Sequence, residues 1–93
     1  MPIVTVFNLT TMTPEKYDSV IAGLEDAGVG NPDGRLYHVG AQTAAGTMIV
    51  TDVWESPEKL EAFGKSLFPV LHANGVTPVE PQVTPARGII VGK

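Results

Sequence analysis

"DVWESPEKLEAFGKSLFPVLHANG", residues 52–75, holds the end of a strand, the start of a helix and its stop in one run. Val53 and Trp54, β-branched and aromatic, close the strand. Ser56-Pro57-Glu58 then supplies a helix N-terminus: a capping hydroxyl, a proline whose missing N–H costs nothing in the first turn, and an acid at the positive end of the dipole. Leu60, Phe63, Leu67 and Leu71 recur at three- and four-residue spacing and give the helix one apolar stripe. Pro69 removes an intrahelical hydrogen bond and predicts a kink or a split. Gly75 suits a left-handed stop.

The same devices appear upstream. Thr13-Pro14-Glu15 starts a helix whose stripe is Tyr17, Val20, Ile21, Leu24 and Ala27. Ile3 to Leu9 reads as the strand before it, and "GVGNPDG" (28–34) is turn chemistry. "RLYHVGAQTAAGTMIVTDVWES" (35–56) contains two strands around a turn near Ala45-Gly46, hence a hairpin. "VTPVEPQVTP" (76–85) is extended and proline-rich, and "ARGIIVG" (86–92) predicts the last strand. The order β-α-β-β-α-β is that of an α+β, ferredoxin-like domain over residues 1–93. Four antiparallel strands would carry two helices on one face. The last strand belongs at an edge, which fits Pro85 near its start.

The strands are apolar on both faces: Ile3-Val4, Val6-Phe7, Met48-Ile49-Val50, Val53-Trp54 and Ile89-Ile90-Val91. A sheet covered by helices on one side should alternate apolar and polar residues. The greasy second face therefore predicts a homodimer packed sheet to sheet.

Composition narrows the function classes. Charged residues make up 17% of the 93 and apolar residues 43%, a low charge content for so short a chain, which again favours a partner subunit. There is no cysteine, so thiol chemistry, disulfides and zinc–thiolate sites are excluded. The six basic residues are scattered and the net charge is −4, which excludes a phosphate-tracking stripe and makes nucleic acid an unsuitable partner. "MPIVTVFNLT" enters a strand at once, without the basic segment of a signal peptide or the apolar length of a membrane span. The expectation is a cytoplasmic protein. No cluster has metal-ligand spacing.

Candidate functional residues are few. Tyr37 and His38 are adjacent on a strand and so face opposite sides. His38 is the better acid–base candidate, since histidine titrates near neutrality. Trp54, the largest apolar side chain, is core or pocket wall. Asp52 shares its face, and if buried its carboxylate needs a donor such as Arg35 or Arg87. His72, in the last turn of the second helix, can complement the dipole there. Asn8 can bond its own turn at the end of the first strand.

The element order, the greasy second face and "VWES" entering a helix together resemble the dimeric α+β barrel superfamily, especially its antibiotic-biosynthesis-monooxygenase-like group. The resemblance implies a pocket between sheet and helices in each subunit. It also implies that Asn8 matches the asparagine of haem-degrading and polyketide-oxidising members. His72 falls where the haem-degrading members place an iron ligand. Phe63 stands where they carry a tryptophan, a departure that speaks against haem. The implied function is a cofactor-independent monooxygenase acting on a small aromatic or hydrophobic enolisable substrate. In it, Asn8 would be the oxygen-side donor and His38 or His72 the base, with Tyr37, Trp54, Phe63 and Phe68 lining the pocket. The alternatives are a non-catalytic binder of a small hydrophobic molecule and a haem-binding or haem-degrading member.

Overall fold

The structure, a computed structural model, describes residues 1–92. Its elements run β1 (Ile3–Leu9), α1 (Pro14–Asp26), β2 (Arg35–Gln42), β3 (Met48–Trp54), α2 (Pro57–Ala73) and β4 (Gln82–Pro85). The sheet is antiparallel in the order β2-β3-β1-β4, the ferredoxin-like arrangement, with β2 and β4 at the edges.

Both helices start as their sequences require. The Thr13 and Ser56 hydroxyls accept from the N–H groups of Lys16 and Lys59, with Pro14 and Pro57 opening each first turn. Both also stop alike. Gly28 and Gly75 take positive φ of 77° and 69°. The next residues, Val29 and Val76, donate back to the carbonyls of Leu24 and Leu71. This is the Schellman pattern, with Val76 buried beneath it. The helical stripes meet the helix-facing residues of β1 and β3. The resulting core includes Ile3, Leu9, Val20, Leu24, Val50 and Phe63, with Trp54 fully buried at its base.

Of the kink or split expected at Pro69, the split does not occur: α2 continues through it. Pro69 and Lys65 are both on the solvent side of the helix, so water can take up the Lys65 carbonyl that loses its donor. The last strand is not 86–92 but Gln82–Pro85. Its register pairs Ile3, the first residue of β1, with Pro85, and the Ala86 N–H beyond donates to the Pro2 carbonyl. Ile90 and Val91 beyond it are exposed.

The second sheet face carries Val4, Val6, Val39, Ile49 and Val53, and among the described residues neither helix lies on it. No helix among the described residues is long and apolar enough to cross a membrane.

Candidate functional site

Alternation along β3, and along β2 from Tyr37 onward, puts His38 and Asp52 opposite each other on the helix-facing side. His38 Nδ1 lies 2.6 Å from Asp52 Oδ1. Asp52 is 5% exposed, so its carboxylate must be hydrogen-bonded to be tolerated there. A carboxylate can only accept, so Nδ1 carries a proton, and in the neutral imidazole Nε2 is then the acceptor. Tyr17 fills that role as donor, its hydroxyl 2.7 Å from Nε2. The second carboxylate oxygen accepts from Trp54 Nε1 at 3.4 Å. A continuous chain of hydrogen bonds thus runs from Tyr17 through His38 and Asp52 to Trp54.

Tyr17 reaches His38 because of a glycine. Gly40 is two residues after His38 and on the same face, and the Tyr17 ring lies directly against its backbone. A Cβ at Gly40 would come within 2.6 Å of Tyr17 Cζ. The phenol and imidazole rings are nearly parallel, 3° apart, with centroids 6.0 Å apart. Burial raises the Tyr17 pKa above its ordinary value. The positive Arg35 opposes the shift, while the negative Asp52 and Asp18 add to it.

Tyr17, His38 and Asp52 border a cavity of about 60 Å³ between the sheet and the helices. Its other walls are apolar, with Phe7, Val50, Leu24 and Phe63 among them, and Arg35 is the one further charged residue. Phe68, 53% exposed, stands at the rim together with Pro78 and Val79 from the α2–β4 connection. A cavity that holds benzene measures ~150 Å³, so an aromatic guest requires this rim to give way.

The sequence-based candidates separate on this geometry. His38, Phe63 and Phe68 line the cavity. Trp54 lies behind it as core, packed on Phe63 at 5.5 Å between ring centroids and bonded to Asp52. Tyr37 is on the opposite sheet face and 41% exposed. Asn8 is also exposed, because odd-numbered residues of β1 face the helices and even-numbered ones do not. His72 is exposed on the far side of α2, where Leu71 takes the inward position. The partner expected for Asp52 is corrected as well. It is His38 and Trp54, while Arg35 donates to the Gly30 carbonyl at 3.0 Å with its guanidinium 5.8 Å from the centre of the Phe63 ring. Haem does not fit these residues. His72 cannot reach the cavity, and both nitrogens of His38 are engaged.

Sequence reasoning placed Tyr17 on the apolar stripe and missed its polar end. The available signal was Gly40, an isolated glycine inside a strand, which marks close approach by another group.

No family model and no curated protein matches the chain. Solved structures do. A candidate antibiotic biosynthesis monooxygenase from Deinococcus radiodurans is similar with a TM-score of 0.62 at 16% identity, over 100% of this chain and 99% of that one. A second candidate, from Chloroflexus aurantiacus, gives 0.59 at 25% identity over 98% and 97%. SnoaB from Streptomyces nogalater, a cofactor-independent oxygenase, gives 0.61 at 18% identity over 96% and 94%. The chain therefore has the ferredoxin-like fold of the antibiotic-biosynthesis-monooxygenase-like proteins in the dimeric α+β barrel superfamily.

Proposed function

We propose that the protein is a cofactor-independent oxygenase that deprotonates a small aromatic, enolisable substrate in its apolar cavity. The observation that carries this reading is the Tyr17–His38–Asp52 chain on the wall of that cavity. An enol or phenol hydroxyl of the substrate donates to Tyr17 Oη. As its proton passes to Oη, the Tyr17 proton passes to His38 Nε2, and Asp52 stabilises the imidazolium that forms. The carbanion form of the substrate gives its electrons to dioxygen, the oxidant. A carbon–oxygen bond forms, a methylene carbon becomes a carbonyl, and the second oxygen atom leaves as water. Apolar walls keep bulk water from the anion. The unit is a homodimer joined through the open sheet face.

The test is oxygen uptake with anthrone, a small enolisable aromatic ketone. We expect one dioxygen consumed per anthrone oxidised. Tyr17→Phe keeps the ring on Gly40 but breaks the proton path and should lower turnover by ~10²-fold or more. No uptake above the spontaneous rate by folded protein overturns the reading. It would favour a non-catalytic binder in which the same hydrogen bonds serve only to satisfy the buried Asp52.

A further inference from the structure

The hairpin register contains one irregularity. Arg35 pairs with Trp54 and Tyr37 with Val53, so Arg35 and Leu36 together oppose the single residue Trp54. This is a β-bulge. Without it, alternation back from His38 would turn Tyr37 out, Leu36 in and Arg35 out. With it, the extra residue Leu36 is left 45% exposed, and Arg35 is turned to the cavity side. The guanidinium is held by the Gly30 carbonyl and lies near the Phe63 ring. Among the described residues no carboxylate pairs with it. An arginine that lines an apolar cavity with donors to spare can take an anionic oxygen as its partner.

We infer that Arg35 is the anion anchor of the cavity, and that the cavity selects neutral molecules bearing a weakly acidic enol or phenol hydroxyl, which it ionises in place. The inference rests on the proton path proposed above and deepens it. Counting charges shows why the ligand should arrive neutral. Before proton transfer, Asp52 and Arg35 balance each other. After it, Asp52 faces a protonated His38 and Arg35 faces the new oxyanion, so two neutral pairs occupy the cavity. A ligand arriving already charged, such as a carboxylate, would leave the cavity with one uncompensated negative charge in low dielectric. Arg35 is a charged residue whose effect also reaches Tyr17, where it opposes the effect of burial.

The experiment uses 4-nitrophenol, whose ionised form is read by its own absorbance, with nitrobenzene and benzoate as companions. On the wild-type protein at fixed pH, the ratio of ionised to neutral bound nitrophenol should exceed that in solution by ~10-fold or more, the effect of an opposite charge at close range. Nitrobenzene should bind and benzoate should bind more weakly. Arg35→Met should bind nitrobenzene as before and lose the excess ionisation, and Arg35→Lys should keep part of it. Bound nitrophenol that stays neutral, equal ionisation by Arg35→Met, tighter binding of benzoate, or no binding of either nitro compound each overturns the assignment. If Arg35→Met loses nitrobenzene binding, Arg35→Lys decides: ionisation kept supports the anchor, ionisation lost overturns it. Ionisation without oxygen uptake from anthrone would overturn the oxygenase and leave Arg35 in place. Oxygen uptake undiminished in Arg35→Met would do the reverse.

Discussion

Tyr17 holds its position through a residue that has no side chain. Because a Cβ on Gly40 would meet the phenol carbons at 2.6–2.7 Å, Gly40→Ala should cost ~1–3 kcal/mol by overpacking. The same substitution in a Tyr17→Ala background should cost at least ~1 kcal/mol less, since the clash is then gone. Urea denaturation of the four proteins measures this coupling, and additive costs would mean that the two residues do not meet. Titration gives a second expectation. The folded protein holds the Tyr17 proton to higher pH than the unfolded chain, whose phenol titrates near the ordinary 10.0. Above that pH the native state binds more protons, so stability falls as pH rises, and below it this contribution is flat. Tyr17→Phe should reduce the fall. Denaturant melts between about pH 8 and pH 11 with equal slopes in both proteins would contradict the burial of the phenol. Of these side chains, the sequence showed that Asp52 and Trp54 share a face, because strand alternation is local. It did not show that Tyr17 meets His38, because that contact depends on how α1 docks on the sheet.

Local chemistry also explains which elements were legible. The caps, prolines and stop glycines of α1 and α2 lie within a few residues of the ends they define, and the helices begin and end where those residues stand. What depends on a distant partner was not legible. β4 ends at Pro85 because β1 begins at Ile3, and the bulge at Leu36 appears only when β2 is laid against β3. Pro69 shows the opposite case, a strong local signal outvoted by context. The packing of Phe63, Leu67 and Leu71 in the core keeps α2 helical past it. Pro69→Ala restores the missing donor to the Lys65 carbonyl and should therefore stabilise the protein by ~1–2 kcal/mol, the helix gain less the freedom returned to the unfolded chain. Thermal melts test this. A lower melting temperature would mean that the proline ring makes a contact the helix needs.

For the whole molecule, Val39 on the open sheet face and Val83, Ile89, Ile90 and Val91 are apolar side chains exposed to water, the kind of surface that a partner covers. Sheet-to-sheet pairing should bury ~1,500 Å² or more in total. Light scattering should give twice the chain mass at micromolar concentration. Val39, 58% exposed in the single chain, offers the control, since Val39→Lys should yield folded monomers. A wild-type monomer would refute the dimer. The bulge has one more effect, on solubility. β2 is an edge strand of eight residues, and its outer row of N–H and C=O groups is a template on which a foreign strand can add. The extra residue at Leu36 breaks the even spacing of that row and increases the local twist. A strand drawn up alongside would find its hydrogen bonds out of step within two residues of Arg35. The insertion that turns a charge toward the cavity thus also guards the free edge against aggregation.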